Sequence, residues 1–189
     1  MNSPRQFFWP SPKVVTRLKV LSSEIDGKTC EVLVRQLNHL RESEPAIPVT
    51  RGKSLTRSLG REKFLGQQRL FGIVDDHRNV IGHVVARLSP TLGCPQGNPL
   101  GMLGFFAALN LPLPVAQLLR EATHWLNGQG ATCVVGPMDG DTWHSYRINL
   151  GPFEDPPFLM EPTNPPYYPK LWEAAGFSVV DCFHSKRVT

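Results

Sequence analysis

Residues 101–138, GMLGFFAALNLPLPVAQLLREATHWLNGQGATCVVGPM, form the stretch of sequence that decides the fold. Apolar residues recur at steps of three and four in its middle part, which predicts one buried face of a helix. Pro112 and Pro114 fit the start of this helix, because first-turn residues lose little by lacking an N–H. Gly128 and Gly130 fit its end. Apolar runs on both sides complete a predicted strand–helix–strand crossover, in which a strand end lies beside a helix amino terminus.

The rest of the chain supplies further strands and helices around this crossover. The predicted elements are a strand at 14–22, a helix at 30–42, a hairpin with strands at 70–74 and 80–88, a short helix at 167–175 and a last strand at 177–188. This order predicts a single α/β domain over 13–189, with a central mixed, mostly antiparallel sheet flanked by helices. Residues 1–12 form a predicted loosely ordered lead-in, whose aromatic residues would offer a patch for a homodimer.

Charge and cysteine usage narrow the class of function. The formal net charge is +4, and the basic run at 51–63 is interpreted as a solvated surface, so the sequence argues against a nucleic-acid partner. The four cysteines are far apart and form no C-x-x-C pair, so no metal site is predicted. No apolar run reaches membrane-spanning length and no signal peptide is recognised, so a cytoplasmic protein that binds no membrane is expected.

Three local patterns carry a resemblance to a known family. The hairpin at 70–88 contains Ile81-Gly82 at the entry to its second strand, LLREATHWLNGQGA follows the central strand, and LWEAAGF spans residues 171–177. Together they resemble the GNAT superfamily of N-acetyltransferases. The combination of GFF at 104–106, GPM at 136–138 and NPPYYP at 164–169 resembles an uncharacterised bacterial subgroup of acetyltransferase-like proteins.

This resemblance implies acetyl-CoA or another acyl-CoA as co-substrate. In the family, the backbone of a central strand pairs with the pantetheine arm, and the next helix amino terminus binds the pyrophosphate. The positions implied to contact the cofactor are Phe106, Ala107, Ala108, Asn110, Leu113, Val115, Asn164 and Trp172.

The cofactor loop departs from the family pattern at the helix start. Asn110 stands where the family has Arg or Gln, and Leu113 and Val115 replace two small residues. Pro112 and Pro114 supply no N–H donors, which leaves the amides of Leu113 and Val115 to face an anion.

Two phenols are candidates for the acid that protonates the leaving thiolate. The family's usual Tyr is replaced by Trp172, whose indole cannot deliver a proton at neutral pH. Tyr168 lies one helical turn earlier and is the predicted acid, with Tyr167 beside it as an alternative. Both tyrosines would otherwise pack over the sheet with their hydroxyl groups at the rim.

Glu161 is the predicted general base for the acceptor amine. It follows the apolar residues 158–160, so its carboxyl is expected to have a raised pKa. Glu161 could equally hold the Pro-rich loop at 153–169 in place. Asp139, Asp141 and His144 are alternative bases, and Asp141 could simply cap a short helix at 142–147.

The expected activity is acyl-CoA-dependent N-acyl transfer to a small-molecule amine by direct attack. Glu161 or a water would act as base, and a backbone amide near 106–108 would stabilise the oxyanion. The alternative is a catalytically degenerate module of the same fold that binds a small ligand or a protein partner. The substitutions at Leu113, Val115 and Trp172 favour this alternative.

Overall fold

The structure is a computed structural model, and it describes residues 18–25, 28, 40, 67–94, 97–154, 158–159 and 161–186. The predicted lead-in at 1–12 and the basic run at 51–63 lie outside these residues. So does the predicted helix at 30–42, apart from Leu40, which is helical and buried.

Five strands form one sheet with the order β1-β2-β3-β4-β5. Their bounds are β1 Lys19–Glu24, β2 Gln68–Val74, β3 Val80–Gly93, β4 Pro99–Ala108 and β5 Cys133–Val135. The first three pairings are antiparallel and the β4–β5 pairing is parallel. The predicted mixed, mostly antiparallel sheet is therefore confirmed, although β1 ends later than predicted and the predicted residues 14–17 lie outside the described part of the chain.

The turn between β2 and β3 is built on Asp75. Its carboxylate accepts the backbone N–H groups of His77 at 2.9 Å and Asn79 at 2.8 Å. An aspartate that bonds to the backbone two residues onward stabilises a tight turn. The hairpin therefore closes at the predicted place.

Two helices pack on the same face of the sheet. Helix α1 spans Pro112–Gly128 and α2 spans Tyr168–Ala175, close to their predicted bounds. Helix α2 ends at Gly176, whose φ of 99° favours glycine. The fully buried α1 side chains that belong to the core cluster with the sheet recur at helical spacing and are Val115, Leu118, Leu119, Ala122 and Leu126.

Strand β4 contains a bulge at Phe105. The register against β3 shifts between His83 and Val85, and Phe105 has a φ of 48°. A bulge adds one residue to one strand and redirects the side chains that follow it. As a result, Phe106 belongs to the core under α1, whereas Phe105 belongs to a second cluster with Val85.

The predicted last strand at 177–188 is wrong over the part that the structure describes. Residues 177–186 form neither strand nor helix. Val179 and Val180 are 65% and 91% exposed, so their β-branched side chains have no sheet face to cover. Strand propensity alone does not form a strand, because its backbone must find a partner edge. In the described part of the chain, no helix combines the length and apolar character needed to cross a bilayer.

Candidate active site

Strands β4 and β5 pair over only three residues and then diverge. The last pair is Met102 with Val135. Beyond it, the Met138 N–H donates to the Leu103 carbonyl at 2.8 Å, and the Asp139 carboxylate accepts the Phe105 N–H at 2.5 Å. The edge of β4 is therefore already paired as far as the bulge, and the candidate binding stretch begins after it.

Two adjacent tyrosines hold the carboxyl end of β4. The Ala108 N–H donates to the Tyr168 hydroxyl oxygen at 3.3 Å, and the Tyr167 hydroxyl donates to the Ala108 carbonyl at 3.0 Å. Tyr168 is only 3% exposed, whereas Tyr167 is partly exposed. Helix α2 thus places both phenols at the strand end that precedes α1.

Phe106 and Trp172 form the floor of this region. The Phe106 ring packs edge-on against Tyr168 at 4.9 Å and against Trp172 at 5.2 Å between centroids. Trp172 is buried, and its indole N–H finds no partner among the described residues. A side-chain carbon added at Gly136 would lie 2.5 Å from the Trp172 ring, so the GPM segment fits closely over this indole. Both aromatic rings therefore act as core residues here.

The start of α1 offers fewer amides than predicted. Val115 is fully buried and its N–H donates to the Leu111 carbonyl at 3.0 Å, so its predicted free amide is wrong. Pro112 and Pro114 have no N–H, which leaves Leu113 with the one first-turn amide that has no partner in the described structure. The Leu113 side chain is 83% exposed and the neighbouring Asn110 is exposed.

Asn164 joins two loops. Its side-chain oxygen accepts the Asn149 N–H at 2.7 Å, and its amide nitrogen donates to the Asn149 carbonyl at 3.1 Å and the Pro165 carbonyl at 3.0 Å. These bonds use both ends of the side chain. Asn164 therefore fixes the approach to α2 in this structure.

The expected raised pKa of Glu161 is wrong. The Glu161 carboxylate accepts hydrogen bonds from the Ser185 hydroxyl and from the Phe158 N–H, the latter at 3.0 Å. These bonds, with the Arg147 charge, hold the pKa of this carboxyl below its ordinary value. Through these two bonds, the ionised Glu161 carboxylate connects the loop before α2 to the segment 177–186.

Asp141 and His144 pair with each other in an exposed turn. The Asp141 carboxylate accepts the Trp143 N–H at 2.8 Å and lies 2.7 Å from the His144 Nδ1. Burial opposes the charged form, but hydrogen bonds from His144 and Trp143 outweigh it and lower the pKa of Asp141. Residues 142–147 form turns and bends, so Asp141 caps a turn and the helix weighed at this position is absent.

Sequence reasoning gave no role to His83, which is buried in β3. Its side chain is 2% exposed, and neither ring nitrogen has a well-aligned partner among the described residues. Its cross-strand neighbours, Gly72 and Ala107, are both small. A polar residue inside the apolar strand pattern VIGHVVA was the available signal.

Comparison with known proteins places this geometry in a class of folds. No protein-family model matches the chain. The chain is similar to a candidate acetyltransferase from Pyrococcus furiosus, with a TM-score of 0.52, 14% identity and coverage of 91% of this chain and 100% of that one. Glucosamine-6-phosphate N-acetyltransferase from Arabidopsis thaliana gives a TM-score of 0.51, with 8% identity and coverage of 90% and 99%.

An aminoglycoside N-acetyltransferase solved with CoA gives a TM-score of 0.51, with 15% identity and coverage of 91% and 96%. The sheet order, the parallel β4–β5 pair joined by α1 and these likenesses define the acyl-CoA N-acyltransferase fold of the GNAT type. In sequence, the chain is 26% identical to protein YghO of Escherichia coli K12 over 98 residues, or 52% of this chain. The match spans 25% of YghO's own length.

The residues at the start of α1 fit an anionic group. Leu113 is 83% exposed, its amide has no partner in the described structure, and the first turn of α1 carries no acidic residue. The edge of β4 offers fewer free backbone groups to a ligand, because it is paired up to Phe105 and the two tyrosines bond to Ala108. A CoA-type ligand would thus be held by the Leu113 amide, the Asn110 side chain and the short stretch after the bulge.

Proposed function

We propose that this protein transfers an acyl group from acyl-CoA to a small-molecule amine. The observation that carries the proposal is the hydrogen bond from the Ala108 amide to the Tyr168 hydroxyl, at the point where β4 ends and α1 begins. Acyl transfer needs an amide near the reacting carbonyl and a proton donor near the leaving group. These two groups meet at one strand end, and the acyltransferase fold supports the same assignment.

Each group has a separate task. Acyl-CoA, when bound, supplies the acyl group and the thiolate that must be protonated. The first-turn amide of Leu113 holds the anionic part. In this structure the Ala108 amide donates to the Tyr168 hydroxyl, and with the acyl group bound it donates instead to the oxyanion. Tyr168 holds at its hydroxyl the proton that the leaving thiolate needs. The bonds of Glu161 to Phe158 and Ser185 favour loop positioning, so the proton of the attacking amine goes to water.

Calorimetric titration with acetyl-CoA tests the binding half of the proposal. We expect micromolar binding that falls at least tenfold in Leu113→Asp, because the new carboxylate would repel the anion at the helix start. Val180→Asp adds the same charge at a site that is 91% exposed in the terminal segment, and it should bind like the wild type. No heat change at millimolar acetyl-CoA would overturn the proposal.

Activity is tested on a panel of amino sugars, polyamines and peptide amines by following thiol release. We expect Tyr168→Phe to lower the rate about 100-fold or more, in the range of general acid catalysis, and Tyr167→Phe to lower it far less. Glu161→Gln should remain within a few-fold of wild type if a water is the base. A loss of about 100-fold in Glu161→Gln would restore this residue as the base.

The second candidate function is non-catalytic ligand binding on the same fold. It is favoured by the burial of Trp172 in the core and by the single first-turn amide of α1. Acetyl-CoA binding without thiol release on any amine of the panel would support this candidate over catalysis.

A further inference from the structure

Arg147 places a positive charge in the loop that follows β5. Its backbone N–H donates to the Pro137 carbonyl at 3.2 Å, just beyond the end of β5. Two residues later, the Asn149 N–H donates to the Asn164 side-chain oxygen at 2.7 Å. The loop around Arg147 is therefore attached on one side to the end of β5 and on the other to the segment that leads into α2 and its two phenols.

The Arg147 guanidinium lies against two aromatic rings. Its Cζ is 4.3 Å from the centroid of the Tyr146 ring and 5.1 Å from that of the Phe183 ring, which belongs to the terminal segment. Stacking of this kind holds the guanidinium plane and leaves its edge free for hydrogen bonds. The backbone of Arg147 has a φ of 75°, which is uncommon for a residue with a side chain and recurs at functional sites. Its own backbone and both rings thus set the direction of this side chain.

The edge of this guanidinium is left without a partner. In the part of the chain that the structure describes, the Arg147 side chain forms no hydrogen bond and no ion pair. Nε is the only nitrogen of this side chain that is both buried and unpartnered, so the two terminal nitrogens remain open to solvent. The Arg147 charge acts on Glu161, but the Glu161 carboxylate already accepts the Ser185 hydroxyl and the Phe158 N–H. The terminal nitrogens are therefore available to an anion that comes from outside the chain.

We propose that Arg147 binds a carboxylate of the acceptor, so that the substrates are amines that also carry a carboxylate group. This inference rests on the proposed function, which supplies the acceptor amine. The two terminal nitrogens of a guanidinium match the two oxygens of a carboxylate in a pair of charge-assisted hydrogen bonds. A single arginine near the Glu161 charge suits the one negative charge of a carboxylate better than the larger charge of a phosphate.

A series of straight-chain amino acids tests this site, because each one has a matched amine that lacks only the carboxylate. The acids run from glycine, with one methylene group between amine and carboxylate, to aminohexanoate, with five, and the matched amines run from methylamine to pentylamine. With acetyl-CoA as donor, we expect kcat/KM for thiol release to be about tenfold higher or more for at least one acid than for its matched amine. The best chain length then measures the separation between Arg147 and the reacting amine.

Two arginine variants show which charge causes the preference. Arg147→Gln should reduce the preference for an acid over its matched amine to within about twofold, because glutamine carries no charge, and Arg147→Lys should keep part of it. Arg120→Gln is the matched control, since it removes a charge from α1, where the side chain donates to the Ala174 carbonyl at 2.9 Å. This control should keep the wild-type preference, and circular dichroism confirms that the variants are folded.

Three results would overturn the inference and leave acyl transfer standing. They are equal kcat/KM for every acid and its matched amine, an unchanged preference in Arg147→Gln, and a stronger preference for aminoethyl phosphate than for any of the acids.

Phenylglyoxal, which adds to the terminal nitrogens of arginine, probes the same site without acyl transfer. After peptide mapping of the full chain, we expect the acids to slow modification of Arg147 several-fold and the matched amines to leave it unchanged, with Arg120 as internal reference. If no amine releases thiol, the proposed function fails, and this protection alone decides whether Arg147 binds a carboxylate. An Arg147 that does not react, or that no acid protects, would overturn the inference.

Discussion

At the scale of single residues, His83 links burial to pH. Its imidazole lies inside the sheet, where desolvation lowers its pKa from 6.5 to about 4, and the nearby Phe105 backbone offsets only part of this effect. In the unfolded chain the imidazole regains its ordinary pKa near 6.5. At pH values between about 4 and 6.5, His83 is therefore protonated in the unfolded chain and neutral in the folded chain.

We therefore expect stability to fall as the pH drops from about 6.5 to about 4, and then to level off for this group. The free energy of unfolding should lose up to about 3 kcal/mol across that window. Urea unfolding at a series of pH values measures the loss. His83→Gln cannot titrate and should remove most of this slope. An unchanged slope in His83→Gln would show that other groups cause it.

At this scale, some features of single residues could be predicted from the sequence and others could not. The short helix that carries Tyr168 was predictable from its spacing, whereas the contact of Tyr168 with Ala108, 60 positions away, was not. The environment of Glu161 was not predictable, since its partner Ser185 is 24 residues away in the sequence.

At the scale of elements, Gly104 in β4 determines how closely the GPM segment can approach. A side-chain carbon added there would lie 2.2 Å from the Met138 carbonyl oxygen, which is backbone and cannot turn aside. Gly128, at the end of α1, would meet nothing within 4 Å. The two glycines thus form a matched pair for the same substitution.

We expect Gly104→Ala to destabilise the fold by at least about 1–3 kcal/mol, the usual cost of overpacking. Gly128→Ala should be neutral or stabilising by about 0.5–1 kcal/mol, since alanine favours the helix. Midpoints of urea unfolding, followed by circular dichroism, measure both. Equal stability of the two variants would mean that the segment does not lie against β4.

Elements with a strong local pattern were predicted well. The α1 helix, the β2–β3 hairpin and α2 follow from periodicity, turn chemistry and the closing Gly176. The strand expected after α2 failed, since its formation depends on a free partner edge and not on its own residues. The bulge at Phe105 was equally hidden, because nothing in GFF marks which residue is the extra one.

At the scale of the whole molecule, the centre of the sheet and the terminal segment should differ most in the protection of their amides from hydrogen exchange. Strands β3 and β4 are paired on both sides, and their side chains are mostly buried. In the described segment 177–186, the backbone N–H groups that donate hydrogen bonds are those of Phe177 and Cys182. Amide protection follows hydrogen bonding and burial.

Hydrogen exchange of the full chain at neutral pH checks this contrast. We expect the slowest amides in β3 and β4, and exchange within seconds for most amides at 178–186. Amides of α1 serve as a reference, since this helix is packed on one side only. Slow exchange at 178–186 would mean that this segment pairs with another strand in solution.

The overall fold was predictable from the order of elements, although its relatives share little sequence with it. The solved structures that it resembles are 8–15% identical, so their side chains carry no site by themselves. In the proposed function, transfer to an amine depends on the few groups at Ala108, Tyr168 and Leu113. The fold sets where such groups meet, and the local sequence decides which chemistry they support.

The bulge at Phe105 also changes the numerical parity of β4. Odd-numbered residues such as Gly101 and Leu103 face α1 before it, and even-numbered residues such as Phe106 and Ala108 do so after it. When a remote homologue is aligned to this strand, a one-residue gap at the bulge turns no other side chain over. The same gap placed elsewhere in β4 would exchange the inward and outward positions of every residue between the gap and the bulge.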